Sequence, residues 1–203
     1  MVTHSHYVYL VRHGEQQHAE HGLPDGPLSA RGKRQAQLLA ERLGGVPFDA
    51  AWHSPLQRAE ETAAIIAERM PAITPEPTPL LMDCIPSGPS AETPDAFDAF
   101  FGSVTDDQIE AGRAQMEDAV AEFLKPARGE RHDLLITHNF VIGWFVREAL
   151  GAPDWRWMSI PAANCGLTVL QQKPGRPWTL LMHNSLSHLP AELVTGMSEP
   201  LPA

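Results

Sequence analysis

Two short stretches end an apolar run directly on side chains capable of chemistry. In "YVYLVRHGE" (7–15) the run leads into Arg12, His13 and Gly14; in "DLLITHN" (133–139) it leads into His138. A third candidate, Arg58, follows a Ser-Pro pair in "HSPLQRAEETA". Two guanidiniums are planar, permanently charged forks that match phosphate oxygens. A neutral imidazole is a nucleophile near neutral pH. In-line attack at phosphorus needs charge neutralisation on the equatorial oxygens more than acid–base power, and paired arginines supply it. Gly14 lets the backbone turn tightly beside an anion. Arginines close to a histidine lower its pKa and keep the nucleophile unprotonated. Taken singly, each residue has a plainer explanation. Arg12 and His13 suit a strand-end surface pair, Arg58 could pair with Glu61 three residues on along a helix, and His138 could be a core histidine. Their shared position after strands favours one site.

That site needs elements to position it. Tyr7 to Val11 is short, aromatic and β-branched, as strands are. "HAEHGLPDGP" (18–27) is loop, dense in glycine and proline. Ser29 suits a helix N-cap, although Gly32 stands where a capping box has glutamate. Ala36, Leu38, Leu39 and Leu43 give a helical face over Ala30 to Leu43, ended by Gly44-Gly45. "DAAWHS" is a short strand, Pro55 sits where a helix would start, and "LQRAEETAAIIAERM" is helical. From Pro71 to Pro94 the chain reads as proline-rich loop with a short strand near Leu80. Pro94 to Lys125 reads as helix, break at Gly102-Ser103, helix. Asp133 to Thr137 is a strand, and Asn139 to Leu150 a helix ended by Gly151. "PAANCGLTVLQQ" and "WTLLMHN" form a hairpin across a Lys-Pro-Gly turn. Strands alternating with helices predict an α/β domain with a largely parallel sheet and helices on both faces. Binding groups in such sheets gather beyond the carboxyl ends of the strands, which is where His13, Ser54-Pro55 and His138 fall.

Composition narrows the classes. The chain has 203 residues, enough for one domain, and a hydrophobic fraction of 43% that supports a sizeable core. The net charge of -10, from 25 acidic against 15 basic residues, disfavours nucleic-acid or anionic-membrane binding. A small anion remains possible where a few arginines are focused. Two cysteines, Cys84 and Cys165, fit neither a zinc spacing nor a disulfide scaffold. With no signal-peptide pattern at the start and no apolar run long enough to span a bilayer, a cytoplasmic protein is expected. His4, His6, His18 and His21 lack a companion carboxylate or cysteine set, so no metal site is expected and solvent-facing positions are. His188 is expected to have a structural bonding role, Trp155 and Trp157 fit either core or cleft, and "TDDQIEAGRAQMED" fits a solvated helical face.

The motifs "LVRHGE", "LSARGKRQAQLLAERL", "SPLQRAEETA" and "ITHN", in that order, resemble those of the histidine phosphatase superfamily, the phosphoglycerate mutase-like family. "NCGLTVL" and "NSLSHL" are similar to its C-terminal strands. The match thins only over 71–125. The resemblance implies a three-layer α/β/α sandwich with a mostly parallel sheet, one domain over 1–203, and a small helical cap insertion at about 81–125. It implies a metal-independent phosphatase, without cofactor, acting on phosphate monoesters through a phosphohistidine. His13 matches the nucleophile, Arg12 and Arg58 the phosphate-binding arginines, and His138 the second histidine contacting the transferring group. Asp83 matches the acid that protonates the leaving oxygen, where much of the family has glutamate. Glu15 looks like support. The family's Thr-x-x-Asn continuation is replaced by Gln16-Gln17-His18-Ala19, so substrate contacts through that asparagine do not carry over. Asn139 stands where glycine is frequent, which leaves its backbone N–H as the phosphate donor. Two other readings stay open: a phosphoglycerate-type mutase, and a phosphate- or phosphoprotein-binding scaffold without turnover. The partner is a small phosphorylated substrate or a phosphoprotein, and a homodimer is no more than a guess.

Overall fold

The computed structural model describes residues 4–18, 25–126 and 129–197. Six strands form one sheet: β1 (His6–Arg12), β2 (Ala50–His53), β3 (Glu76–Pro77), β4 (Arg131–Thr137), β5 (Leu167–Gln172) and β6 (Thr179–Ser185). Their spatial order is β3-β2-β4-β1-β5-β6. β4 runs parallel to β1 on one side and to β2 on the other. β5 is antiparallel to β1, and β6 is antiparallel to β5. The sheet is therefore mostly parallel, with β5 alone reversed.

Alternation along the strands builds two cores. Val8, Leu10, Leu135 and Leu170 face one side of the sheet. They pack there on α4 (Asp106–Phe123) and α5 (Asn139–Leu150), through Met116, Phe123, Ile142 and Phe145. Val11, Leu134, Ile136 and Val169 face the other side, against α1 (Ala30–Leu43) and α2 (Gln57–Ala67). Helices thus cover both faces, and the central strands read as near-continuous apolar runs, as expected of a parallel sheet covered on both sides.

Each helix boundary has a local cause. Ser29 Oγ accepts from the Gly32 N–H and caps α1. Thr105 and Gln108 form a full capping box at the start of α4. Gly151 closes α5 in the left-handed region at φ 60°, where a Cβ would be costly. Two local expectations need correction. Helix α2 starts at Gln57, with Leu56 as its N-cap, so Pro55 lies two residues upstream of the helix. The region near Leu80 is a 3-10 turn, Pro79–Leu81, capped by Thr78; the strand pairing falls earlier, at Glu76–Pro77. Residues 95–123 comprise a 3-10 turn at Asp95–Phe97, the four-residue α3 (Asp98–Phe101) and then α4, so the break at Gly102-Ser103 is where the spacing put it.

The solvent-facing expectation fails for His6. It is 2% exposed, with Nε2 at 2.8 Å from the Asp133 carboxylate and Nδ1 at 3.0 Å from the Lys125 carbonyl. It ties β1 to β4 as part of the fold. His4 and His18 are exposed, while His21 and Ala19 lie outside the described residues. His188 has the bonding role expected of it, between the Cys165 carbonyl and Arg42. Trp157 is a core residue whose Nε1–H donates to Ser87 Oγ at 2.9 Å. Trp155 carries the Arg156 guanidinium 4.3 Å above its ring. Among the described residues no helix is long and apolar enough to cross a membrane.

Candidate active site

The register of the sheet explains the site. Arg12 pairs with Thr137, and His53 with Ile136, so β1, β4 and β2 end side by side. The residues that follow them are His13, His138 and Ser54. The His13 N–H extends the ladder to the Thr137 carbonyl at 2.9 Å, and the Ser54 N–H does so to Ile136 at 2.9 Å. Arg58 is the second residue of α2, the helix that leaves the end of β2.

These groups converge. His13 Nδ1 lies 2.7 Å from the Gly14 carbonyl. A carbonyl only accepts, so Nδ1 carries the proton and Nε2 keeps its lone pair. Arg58 Nε–H donates to that Nε2 at 3.1 Å. Arg58 Nη2 donates to His138 Nδ1 at 3.1 Å, which places the His138 proton on Nε2, donating to Ser54 Oγ at 2.8 Å. The two imidazole centroids are 5.0 Å apart. Arg58 also meets Asp25 at 3.2 Å and Asp83 at 3.4 Å. Arg12 Nη1 donates to the carbonyls of Ala162 at 2.7 Å and Gly196 at 2.6 Å. Its Nε is buried and has no partner among the described residues, a donor that an oxyanion in the cleft could satisfy. Arg12, His13, Asp83, His138 and Phe140 line one cleft of 340 Å³.

Electrostatics fit a nucleophile held ready. His13 is 6% exposed. Burial, and then the Arg12 and Arg58 charges, hold its pKa well below the ordinary imidazole value, against a smaller opposing effect of its bond to Gly14. His138 is lowered likewise, by burial first and then by His13, Arg58 and Arg12. Asp83 moves the other way: loss of hydration raises it, opposed by Arg58, Arg12 and the Cys84 N–H. Its side chain is still 43% exposed, and water on that open side limits the rise. Burial and the Asp83 charge push the Cys84 thiol up to about 12, so it stays protonated beside the cleft.

A supporting shell fixes these groups. Gly14 N–H donates to Thr62 Oγ1, which itself donates to the Arg58 carbonyl. Asn164 Nδ2 donates to the His13 carbonyl. Glu15 has the supporting place expected of it, accepting from Ser29 Oγ at 2.7 Å and facing Arg31 at 3.5 Å. Asp25 accepts from the first N–H of α2 at Gln57 and holds Arg58 Nη1. Asn139 uses its side chain, not only its backbone: Oδ1 accepts from the Ala162 N–H at 2.7 Å. Ser54, Thr62, Asn164 and Asp25 were not singled out as site residues from the sequence. Ser54 was visible as a strand end, whereas Asp25 in "LPDGP" carries only the signature of a turn.

The profile of the "Histidine phosphatase superfamily (branch 1)" matches residues 8–185. An Enterobacter sp. (strain 638) protein named "Probable phosphoglycerate mutase GpmB" is 30% identical over 91% of this chain and 95% of its own length. The mitochondrial serine/threonine-protein phosphatase Pgam5 of Caenorhabditis briggsae is 27% identical over 92% of this chain, which spans 65% of that protein. Among solved structures, Bacillus stearothermophilus YhfR superposes with a TM-score of 0.73 at 23% identity, over 90% of this chain and 98% of that one. The alpha-ribazole phosphatase of Shigella flexneri superposes at 0.72 and 22% identity, over 95% and 100%.

Proposed function

The chain belongs to the histidine phosphatase superfamily, and we propose that it is a metal-independent phosphatase hydrolysing phosphate monoesters through a phosphohistidine at His13. The observation that carries this reading is the state of His13. Its Nδ1–H is tied to the Gly14 carbonyl while its Nε2 lone pair sits in the cleft against Arg58. His53, at the end of β2, makes the same Nδ1 bond to the Ser54 carbonyl, so what sets His13 apart is its Nε2 against Arg58 beside the Arg12 charge.

In the first step the Arg58 Nε–H turns from His13 Nε2 to a phosphate oxygen, and the freed Nε2 lone pair attacks phosphorus. The N–P bond forms as the bond to the leaving oxygen breaks, with that oxygen in line on the far side. Arg12 and Arg58 neutralise the equatorial oxygens, and His138 contacts the same group. Protonated Asp83 gives its proton to the departing alkoxide. In the second step water attacks phosphorus, Asp83 takes the proton from that water, and the N–P bond breaks to release inorganic phosphate. Burial of the free thiols Cys165 and, in part, Cys84 suits a reducing compartment, which supports a cytoplasmic setting.

The test is chemical trapping. Rapid quenching with p-nitrophenyl phosphate is expected to give acid-labile, base-stable phosphate on His13. His13→Ala is expected to lose turnover by about 10⁴-fold or more while keeping its far-UV circular dichroism. Binding of phosphate monoesters with no turnover of any of them would support the scaffold reading instead. Conversion of 3-phosphoglycerate to 2-phosphoglycerate, with little release of phosphate, would support a mutase.

A further inference from the structure

The cleft continues past the phosphate site into a second hollow of 390 Å³, which shares Asp83 and Phe140 with it. That size is at the lower end of the range for small-molecule sites. An ester held by Arg12 and Arg58 has its leaving oxygen toward Asp83, so the departing group enters this hollow. One strip of α4 forms its wall: Gln108, Ala111, Gly112 and Gln115, which fall at i, i+3, i+4 and i+7 on a single helical face. The wall is held close, since a Cβ on Gly112 would come within 2.0 Å of the Ile85 carbonyl oxygen.

The chemistry of the lining is one-sided. Gln115 spends its amide N–H groups on the Leu80 and Met82 carbonyls, so it offers the hollow an acceptor. Gln108 accepts at Thr105 through Oε1, so it offers a donor. Ile85, Ala111 and Phe140 are apolar. The one carboxyl in the lining is Asp83, neutral while it serves as the acid and charged once it has given up its proton, and no Lys, Arg or His lines the hollow among the described residues. The wider segment is acidic as well. Residues 81–125 carry ten Asp and Glu against two basic residues, Arg113 and Lys125. Arg113 lines a separate depression with Trp144 and Glu148, and Lys125 pairs with Glu122 at 2.7 Å. Residues 19–24 contain no Lys or Arg. Arg58 already faces two carboxylates, Asp25 and Asp83. A second anion on the substrate would meet this acidic surround and no cationic side chain among the described residues.

Building on the phosphatase reading, we infer that the substrate is a small monophosphate ester of an uncharged or amine-bearing alcohol, seated along the α4 strip, and that esters carrying a second anion are rejected by the cap. Like-charge juxtaposition costs enough to reduce kcat/KM by about tenfold or more. Because the strip opens to solvent, that discrimination weakens with salt.

The experiment compares glycerol 1-phosphate, ethanolamine phosphate and 3-phosphoglycerate by phosphate release, with p-nitrophenyl phosphate as reference, at about 20 and about 200 mM NaCl, a range over which the Debye length shortens severalfold. The expected order puts 3-phosphoglycerate about tenfold or more below the other two at low salt, with the gap narrowing at high salt. Ala111→Lys, which adds a cation to an exposed helical position, is expected to narrow the same gap at low salt. Equal or better turnover of 3-phosphoglycerate, or a gap indifferent to both salt and Ala111→Lys, would overturn the inference. So would faster turnover of a phosphoserine peptide than of any small ester. The same esters titrated calorimetrically into His13→Ala read binding alone. There, weaker binding of 3-phosphoglycerate supports the inference even where wild type cleaves nothing, and the reverse order overturns it.

Discussion

At the residue scale, two groups are tuned in opposite directions. The His13 pKa is lowered by burial and the two guanidiniums, and the Asp83 pKa is raised by lost hydration. The proposed first step needs His13 unprotonated and Asp83 protonated. The lowered value moves the acid limb of kcat/KM down, and the raised value moves the alkaline limb up from the ordinary carboxylate range. For alkyl esters, which need a proton on the departing oxygen, the optimum is therefore expected on the acid side of neutrality. p-Nitrophenolate leaves without help, so its alkaline limb should be shallow. Asp83→Asn is expected to cost about 10²-fold or more on an alkyl ester and only severalfold on p-nitrophenyl phosphate, and to remove the alkaline limb. An equal loss on both esters would exclude Asp83 as the acid. Of the site residues, Arg12, His13, Arg58 and His138 were legible because each stands in a local motif at a strand or helix boundary. Asp25 was not, since it lies in the loop between β1 and α1 and its partner Arg58 is 33 residues away on α2, which leaves no local trace.

At the scale of elements, the catalytic turn is clamped by α1. The sequence made Gly32 look like a failed capping box, and packing gives the reason for it. A Cβ there would fall 2.2 Å from the Glu15 carbonyl oxygen, and one on Gly14 would fall 2.7 Å from the Gly32 carbonyl oxygen. The first turn of α1 therefore lies directly on the backbone that follows His13. Gly32→Ala improves helix propensity by about 1 kcal/mol, but the clash is with backbone and cannot be relieved by a rotamer. A net loss of about 1–3 kcal/mol is expected, with a fall in kcat as the His13 turn shifts. Urea denaturation checks the first, and a variant as stable as wild type would refute it. The C-terminal tail has a similar function that periodicity could not reveal. Gln35 on α1 bonds the Leu193 carbonyl and Thr195, and Gly196, at φ 82°, reaches Arg12. Residues without helical or strand repeat look like an unstructured end until the distant partners are known. The helices of the core were readable because their apolar spacing is a local property. The apolar pair Leu80-Leu81 reads equally as a short strand, whereas Pro79, which lacks a ladder N–H, is the local sign of the 3-10 turn observed at Pro79–Leu81.

At the scale of the whole molecule, an acidic chain sets two guanidiniums, Arg12 and Arg58, at one sheet end and buries several histidines in neutral form. His13, His138, His183 and His188 all have pKa values lowered by burial, His188 to about 4. His188 shows the geometric cause. Nε2–H donates to the Cys165 carbonyl while Nδ1 accepts from Arg42, so a second proton has no place. In the unfolded chain these histidines titrate near their ordinary value of about 6.5. As pH falls below that value, the unfolded state takes up protons that the folded state resists, and stability falls. The stability tied to these groups is present above about 6.5 and is lost as pH drops toward their folded values. Asp83 works in the opposite direction, since its raised folded value favours the folded state as it protonates, but it is one partly open group against four. The midpoint of thermal unfolding is therefore expected to fall steadily from pH 7 to pH 5. His188→Gln keeps a donor for Cys165 and an acceptor for Arg42 without a titrating ring, and should make that fall shallower. Melting curves across this range decide it: a midpoint that holds or rises toward pH 5 would mean that the histidines do not govern acid stability. The acid limb of turnover and the acid loss of stability then share one cause, imidazoles held neutral by burial, and with Asp83 setting the alkaline limb the protein should be most active close to where it begins to lose its fold.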